Sequence, residues 1–182
     1  MSLLYDKAYF FTGKHGMMVN ALTSPLSEDC NFKIFNYIYE IFWTAPLIGF
    51  MNKRRAVRDL SDQTTNPPRI HAEQFITYDE KITQTFQLIM LLDSGFAPDS
   101  QARIEKLFKS ETYSSEDKER FEEYLRGGIE YLYESLIKDA IKPEDYLHKM
   151  WSLISDIAAI SPTSVEIVNA CDEILHPRNS DK

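Results

Sequence analysis

The chain has 182 residues, 28 acidic against 20 basic side chains, a net charge of -8 and a pI near 5.0. That length fits one domain or one domain with an extension. The acidic balance excludes a general nucleic-acid coat protein, which would be basic, but leaves room for a local basic patch. Hydrophobic content of 43% and aromatic content of 13% supply a sizeable core, as expected of a globular protein.

In chain order, Met1–Phe11 lacks a basic region followed by a sustained apolar run, so no secretion signal is expected. The two cysteines, Cys30 and Cys171, are then read as free thiols in a reducing, cytoplasmic setting. Tyr9-Phe10-Phe11, then Gly13-Lys14-His15-Gly16, then Met17-Met18-Val19 reads as a short β-hairpin around a glycine turn, or as an irregular arm. The glycines do not form a phosphate loop, because Lys14 directly follows Gly13 and no Ser or Thr follows it. Residues 1–30 are thus an N-terminal extension, ending near Thr23-Ser24-Pro25.

Asn31–Phe50 is the most apolar and aromatic stretch, with four of the eleven Phe, two of the ten Tyr and Trp43. Lys33 and Glu40 inside it would each cost roughly 3 kcal/mol in hydrocarbon, so it is a core helix and no membrane span is expected. Ser27, Asp29 and Asn31 are candidate N-caps. Phe32, Phe35, Ile38 and Phe42 form one apolar stripe, and Ile34, Ile38, Ile41 and Ala45 a second, as in a buried helix. Pro46 should bend or end that helix, and Gly49 should close it.

The most basic run follows at once: Lys53, Arg54, Arg55 and, just beyond, Arg58. Part of its charge complements the negative C-terminal end of the helix. The functional reading is a contact with phosphate or an acidic partner surface, joined by Arg69 across the Asn66-Pro67-Pro68 loop. Four neighbouring cations support salt-sensitive binding without sequence reading.

Ile70–Ile76 alternates weakly. A second helix runs from Tyr78 or Asp79 to Leu92, and a third from Pro98 to Lys109 with Ile104, Leu107 and Phe108 inward. Ser114-Ser115-Glu116-Asp117 starts a long helix with Phe121, Leu125, Ile129, Leu132 and Leu136 on one face. Glu119, Glu122 and Glu123 read as its solvated side. Gly127-Gly128 inside it costs roughly 1–2 kcal/mol of propensity, so a closely packed neighbour or a kink is expected. Pro143 opens a helix lined by Leu147, Met150, Ile154, Ile157 and Ala158. Ser161-Pro162 opens a last one, to His176-Pro177. The sum is a mainly α single domain of about six helices over residues 31–177, with residues 178–182 a flexible tail.

No motif for a metal or cofactor is present. The four histidines are dispersed, and neither H-x-x-x-H nor C-x-x-C occurs. No nucleophile signature is present either. An enzyme would have to assemble its site from dispersed residues such as Glu40, His71, Glu73 and His148.

The order of features resembles a family. An aromatic-aliphatic helix ends in Ile48-Gly49-Phe50, followed by the basic Asn52-Lys53-Arg54-Arg55. A polar loop leads to Ile70-His71, an apolar helix spans Ile82–Leu92, and Tyr124-Leu125-Arg126-Gly127-Gly128-Ile129-Glu130-Tyr131-Leu132 closes the pattern. Over residues 30–137 this is similar to the small helical accessory proteins of bacterial DNA phosphorothioation (Dnd) and defence gene clusters. The resemblance implies a cytoplasmic, prokaryotic protein acting by association in a DNA modification or restriction system, and the leading expectation is a non-enzymatic interaction module. The expected partner is a protein or a second copy of the chain, with nucleic acid at the Lys53–Arg58 loop as the other reading.

Overall fold

The computed structural model describes residues 4–26, 31–61, 66–109 and 112–160. Its elements are β1 (Tyr9–Phe10), α1 (Gly13–Thr23), α2 (Ile38–Met51), β2 (Arg69–Ile70), α3 (Ala72–Thr77), α4 (Asp79–Leu92), α5 (Ser100–Phe108), α6 (Ser115–Leu136) and α7 (Pro143–Ile160). The mainly helical fold is as the sequence implies. The expected helix after Ser161-Pro162, and both cysteines, lie outside the described residues.

The fold is built on α2 against α6. From α2, Ile41, Phe42 and Ala45 are fully buried; from α6, so are Phe121, Leu125 and Ile129. The two helices meet where both are narrow. A Cβ on Gly128 would run into the carbonyl of Ala45 and lie 3.0 Å from the Gly49 nitrogen, and one on Gly49 would strike the Tyr124 carbonyl. Gly127-Gly128 therefore has its compensating neighbour: backbone packs on backbone, and the propensity lost to glycine is offset by close contact. α4 closes one side with Ile82, Phe86 and Ile89, and α1 the other with Val19 and Leu22, all within 2% of full burial.

Three local expectations are corrected. α2 starts at Ile38, not near Asn31, because the Glu40 carboxylate accepts from the amides of Asn36 and Tyr37 (2.9 and 3.0 Å) and fixes the helix start there. Of the proposed caps, Asn31 stands outside the helix, and Ser27 and Asp29 lie outside the described residues. The residues before the helix pair with the end of α1, Phe35 donating its amide to the Leu22 carbonyl at 3.1 Å. α2 then runs through Pro46 and past Gly49 to Met51, since burial of the helix outweighs one lost hydrogen bond.

The Gly13-Lys14-His15-Gly16 turn is instead the first turn of α1, and Met17-Met18-Val19 are helical. The antiparallel partner of β1 is β2, with Tyr9 opposite Ile70 and Phe10 opposite Arg69. In the outer helices, Phe108, Leu147 and Ile154, expected inward from their spacing, are 57%, 69% and 57% exposed. On α7 it is Leu153 that is buried.

Replacing Gly128 by Ala adds helix propensity of about 1 kcal/mol but forces two helices apart. The net expectation is destabilisation by about 2 kcal/mol, from the cost of overpacking, read by denaturant unfolding. An unchanged or raised midpoint would refute the close approach.

Candidate functional site

The basic segment leaves α2 by a sharp turn. The amides of Asn52, Lys53 and Arg54 return to the carbonyls of Ile48, Phe50 and Gly49 (3.1, 3.0 and 2.8 Å). Lys53 takes a left-handed conformation, φ 52°, in the place where glycine commonly ends a helix. The chain then lies across α6 at Gly127, where a Cβ would meet the Arg54 carbonyl and, at 2.9 Å, the Arg55 Cα. The Ala56 amide donates to the Glu123 carbonyl at 3.0 Å, and Arg126 Nε donates to the Ala56 carbonyl at 2.9 Å.

This path splits the predicted cations into two sets. Arg54 forms a bidentate pair with Glu134 (2.6 and 2.7 Å) and a longer contact with Glu130 (3.3 Å). Arg55 pairs with Glu123 at 3.2 Å, and its guanidinium carbon lies 5.8 Å from the Tyr124 ring centroid. Lys53, Arg58 and Arg69 are exposed and form no ion pair with described residues. Arg69 is held opposite Phe10 by the β1–β2 pairing.

Beneath the segment lies a charged layer that sequence reasoning missed. Arg126 is 2% exposed and meets Glu119 and Glu122, the latter at 3.3 Å. Glu122 also accepts from the Tyr5 hydroxyl at 3.4 Å. Glu122 is thus part of the interior and not of the solvated side, and burial pushes its carboxyl above the usual range. His15 is 2% exposed and contacts Glu130 through Nε2 at 3.1 Å. Lys14 joins the same carboxylate at 2.7 Å. Burial lowers the His15 pKa against the pull of Glu130.

The loop's far end ties back to α1. Asp59 Oδ2 accepts from the Lys14 amide at 2.8 Å, and the Asp59 carbonyl accepts from the Thr12 hydroxyl at 2.7 Å. That amide and the nearby Ser61 hold the Asp59 carboxyl down at about 2. Gly13, at φ 56°, leaves the space into which Asp59 fits. The pairing of Gly13-Lys14-His15 with distant carboxylates had no local signal; two charged or ionisable residues flanked by glycine were the one available hint.

Beside the segment, a cleft of about 650 Å³ is lined by Arg55, Phe96, Lys106, Arg120 and the first turn of α6. Its cations are also paired: Lys106 with Asp117 (2.5 Å) and Arg120 with Asp93 (2.6 Å). Glu40, His71, Glu73 and His148 are not brought together. They sit on α2, before α3, on α3 and on α7, and no hydrogen bond or ion pair joins any two of them among the described residues. No group of three or more His, Cys, Asp or Glu among the described residues could hold a metal ion. No described helix is long and apolar enough to cross a membrane.

Residues 13–166 match the family described as DNA sulphur modification system-associated protein 4. The chain belongs to this family. The match starts at Gly13, the residue on which the basic loop closes, and extends past the resemblance seen in residues 30–137 to take in α1 and α7. No curated protein and no solved structure matches the chain.

The His15 environment fixes a pH dependence for this family member. Its folded pKa lies below the unfolded value near 6.5, so its contribution to stability is present above that pH and is lost as pH falls toward the folded value. The unfolding free energy should therefore drop between pH 7 and 5, and His15→Gln should flatten that slope. An equal slope in the variant would contradict the assignment.

Proposed function

We propose that this protein is a non-enzymatic accessory module that binds a protein component of the DNA sulphur modification system, in the cytoplasm. The observation that supports it most is the outer face of α7. Leu147, Trp151 and Ile154, spaced to fall on one side of a helix, are 69%, 72% and 57% exposed. Large apolar side chains grouped on one face mark interaction sites more often than bare surface. Family membership supports the choice of partner. In this reading Arg54 and Arg55 hold the basic segment on α6, and Lys53, Arg58 and Arg69 are its outward polar contacts.

The test is co-expression with the proteins of the system followed by size-exclusion chromatography. A stoichiometric complex is expected with the natural chain. The double substitution Leu147→Glu/Trp151→Glu should weaken it at least about tenfold, as loss of an apolar anchor does. The fold should be unchanged, because exposed substitutions shift stability by about 0.5 kcal/mol or less. A chain that stays alone in the presence of every component contradicts the module.

A second reading, weak nucleic-acid binding, is favoured by the exposure of Lys53, Arg58 and Arg69. Three phosphate contacts would give a salt slope no steeper than about -3 in log K against log salt. Lys53→Glu/Arg58→Glu should abolish such binding, and unaltered binding to duplex DNA would remove these residues from the role.

A further inference from the structure

Four aromatic rings meet where α2 and α4 begin. Tyr37 stacks on Tyr39 with centroids 5.0 Å apart and planes 8° from parallel. Tyr39 stacks in turn on Tyr78 at 4.5 Å and 26°. Trp43 flanks the pile, 5.5 Å from Tyr39 and 5.3 Å from Tyr78. Tyr39, Trp43 and Tyr78 are half-buried and anchored to the core, whereas Tyr37 is 57% exposed. Tyr37 thus ends a fixed stack: one face rests on Tyr39, and no described ring or cation covers the other.

The electrostatics around the stack indicate what the open face would take. An aromatic face attracts cations, and this cluster already holds one, with the Lys81 ammonium 4.2 Å from the Trp43 centroid. Glu40 lies in the first turn of α2, next to Tyr37 and Tyr39, and Asp79 and Glu80 follow Tyr78 directly. The carboxylate of Glu40 accepts only backbone amides, and those of Asp79 and Glu80 meet only Thr83 and Gln84 among the described residues. The carboxylates of α6 are different, since most are neutralised by Lys14, Arg54, Arg55 or Arg126.

Two flat groups could extend the stack: a guanidinium or a nucleobase. A nucleobase brings a phosphate, which would face Glu40 on a chain of net charge -8. A guanidinium is planar, stacks on aromatic faces and offers N–H groups to carboxylates. We infer that the outer face of Tyr37 is a docking point for an arginine side chain of a partner protein, with Glu40, whose carboxylate lies 3.0 Å from the Tyr37 amide nitrogen, supplying the counter-charge. The inference rests on the reading of the chain as an interaction module and adds the chemistry of the partner.

The test is an amide chemical-shift titration of the full chain with the capped peptide acetyl-Gly-Arg-Gly-Arg-Gly-amide. Parallel titrations use the same peptide with Lys for Arg, and a deoxythymidine oligonucleotide. The arginine peptide should shift Asn36–Tyr39 and bind more tightly than the lysine peptide. Tyr37→Ala should weaken it about fivefold, the size of one cation–π contact, and Tyr37→Phe should leave it within about twofold. Equal binding to Tyr37→Ala, or no binding by the natural chain, overturns the site. Oligonucleotide binding that is lost in Tyr37→Ala also overturns it and gives the ring to nucleic acid. If the co-expressed complex forms while these titrations fail, this site alone falls; the module itself falls only when no complex forms.

Discussion

Contact between the backbones of α2 and α6 governs the structure. At Gly49 and Gly128 there is no room for a Cβ, so the two helices lie closer than apolar side chains would allow. Dispersion at that distance involves every backbone atom on both facing sides. The same closeness brings the flanking residues into register. Phe42 reaches Phe121 at 6.1 Å and Phe50 reaches Tyr124 at 5.5 Å, and both rings of α2 then lean on the neighbouring aromatic layer. The propensity lost to Gly49 and Gly128 is offset there, and that lost to Gly127 where the basic segment crosses it.

The close approach also decides where the basic segment goes. With α2 pressed onto α6, the chain leaving α2 has to cross α6 immediately, and Gly127 leaves a place for it. Its cations then fall within reach of the α6 carboxylates: Arg54 on Glu134 and Glu130, Arg55 on Glu123. The bidentate Arg54–Glu134 geometry is one that fixes orientation as well as charge. Arg126 carries the same function from the other direction, since its guanidinium binds the Ala56 carbonyl while two glutamates neutralise it. Removing one member of so buried a set leaves an uncompensated charge, which costs more than the pair contributes. Part of the positive run is therefore structural, and what remains outward is Lys53, Arg58 and Arg69.

Much of this fold was legible in the residues. The long apolar stripe of α6, its cap at Ser114, and the need for a close neighbour at Gly127-Gly128 all follow from spacing and side-chain chemistry; the third helix, expected from Pro98, starts instead at Ser100, where the Asp99 side chain caps it. What escaped was non-local. Nothing near His15 in sequence announces that its partner is Glu130, 115 residues away, and helical periodicity counts Glu122 as outward because it cannot see Tyr5 arriving from 117 residues away. The start of α2 was misplaced because a single side chain, Glu40, overrides the apolar rhythm of Phe32 and Phe35. On α7 the spacing of Leu147, Met150, Ile154, Ile157 and Ala158 suggests an inner face, but the residue turned inward is Leu153 and not Leu147 or Ile154. The candidate binding residues were visible as a charge run; which of them stay outward depended on α6.

The account makes α2 and α6 one cooperative unit, with the basic segment, α1 and the aromatic stack positioned by it and α7 attached at its margin. Native-state hydrogen exchange measures that hierarchy residue by residue. The slowest amides should be those of Ile41–Gly49 and Phe121–Leu132, exchanging only with global unfolding, while the outer turns of α7 exchange sooner. Equal or greater protection in α7, or early exchange around Gly49 and Gly128, would contradict the account.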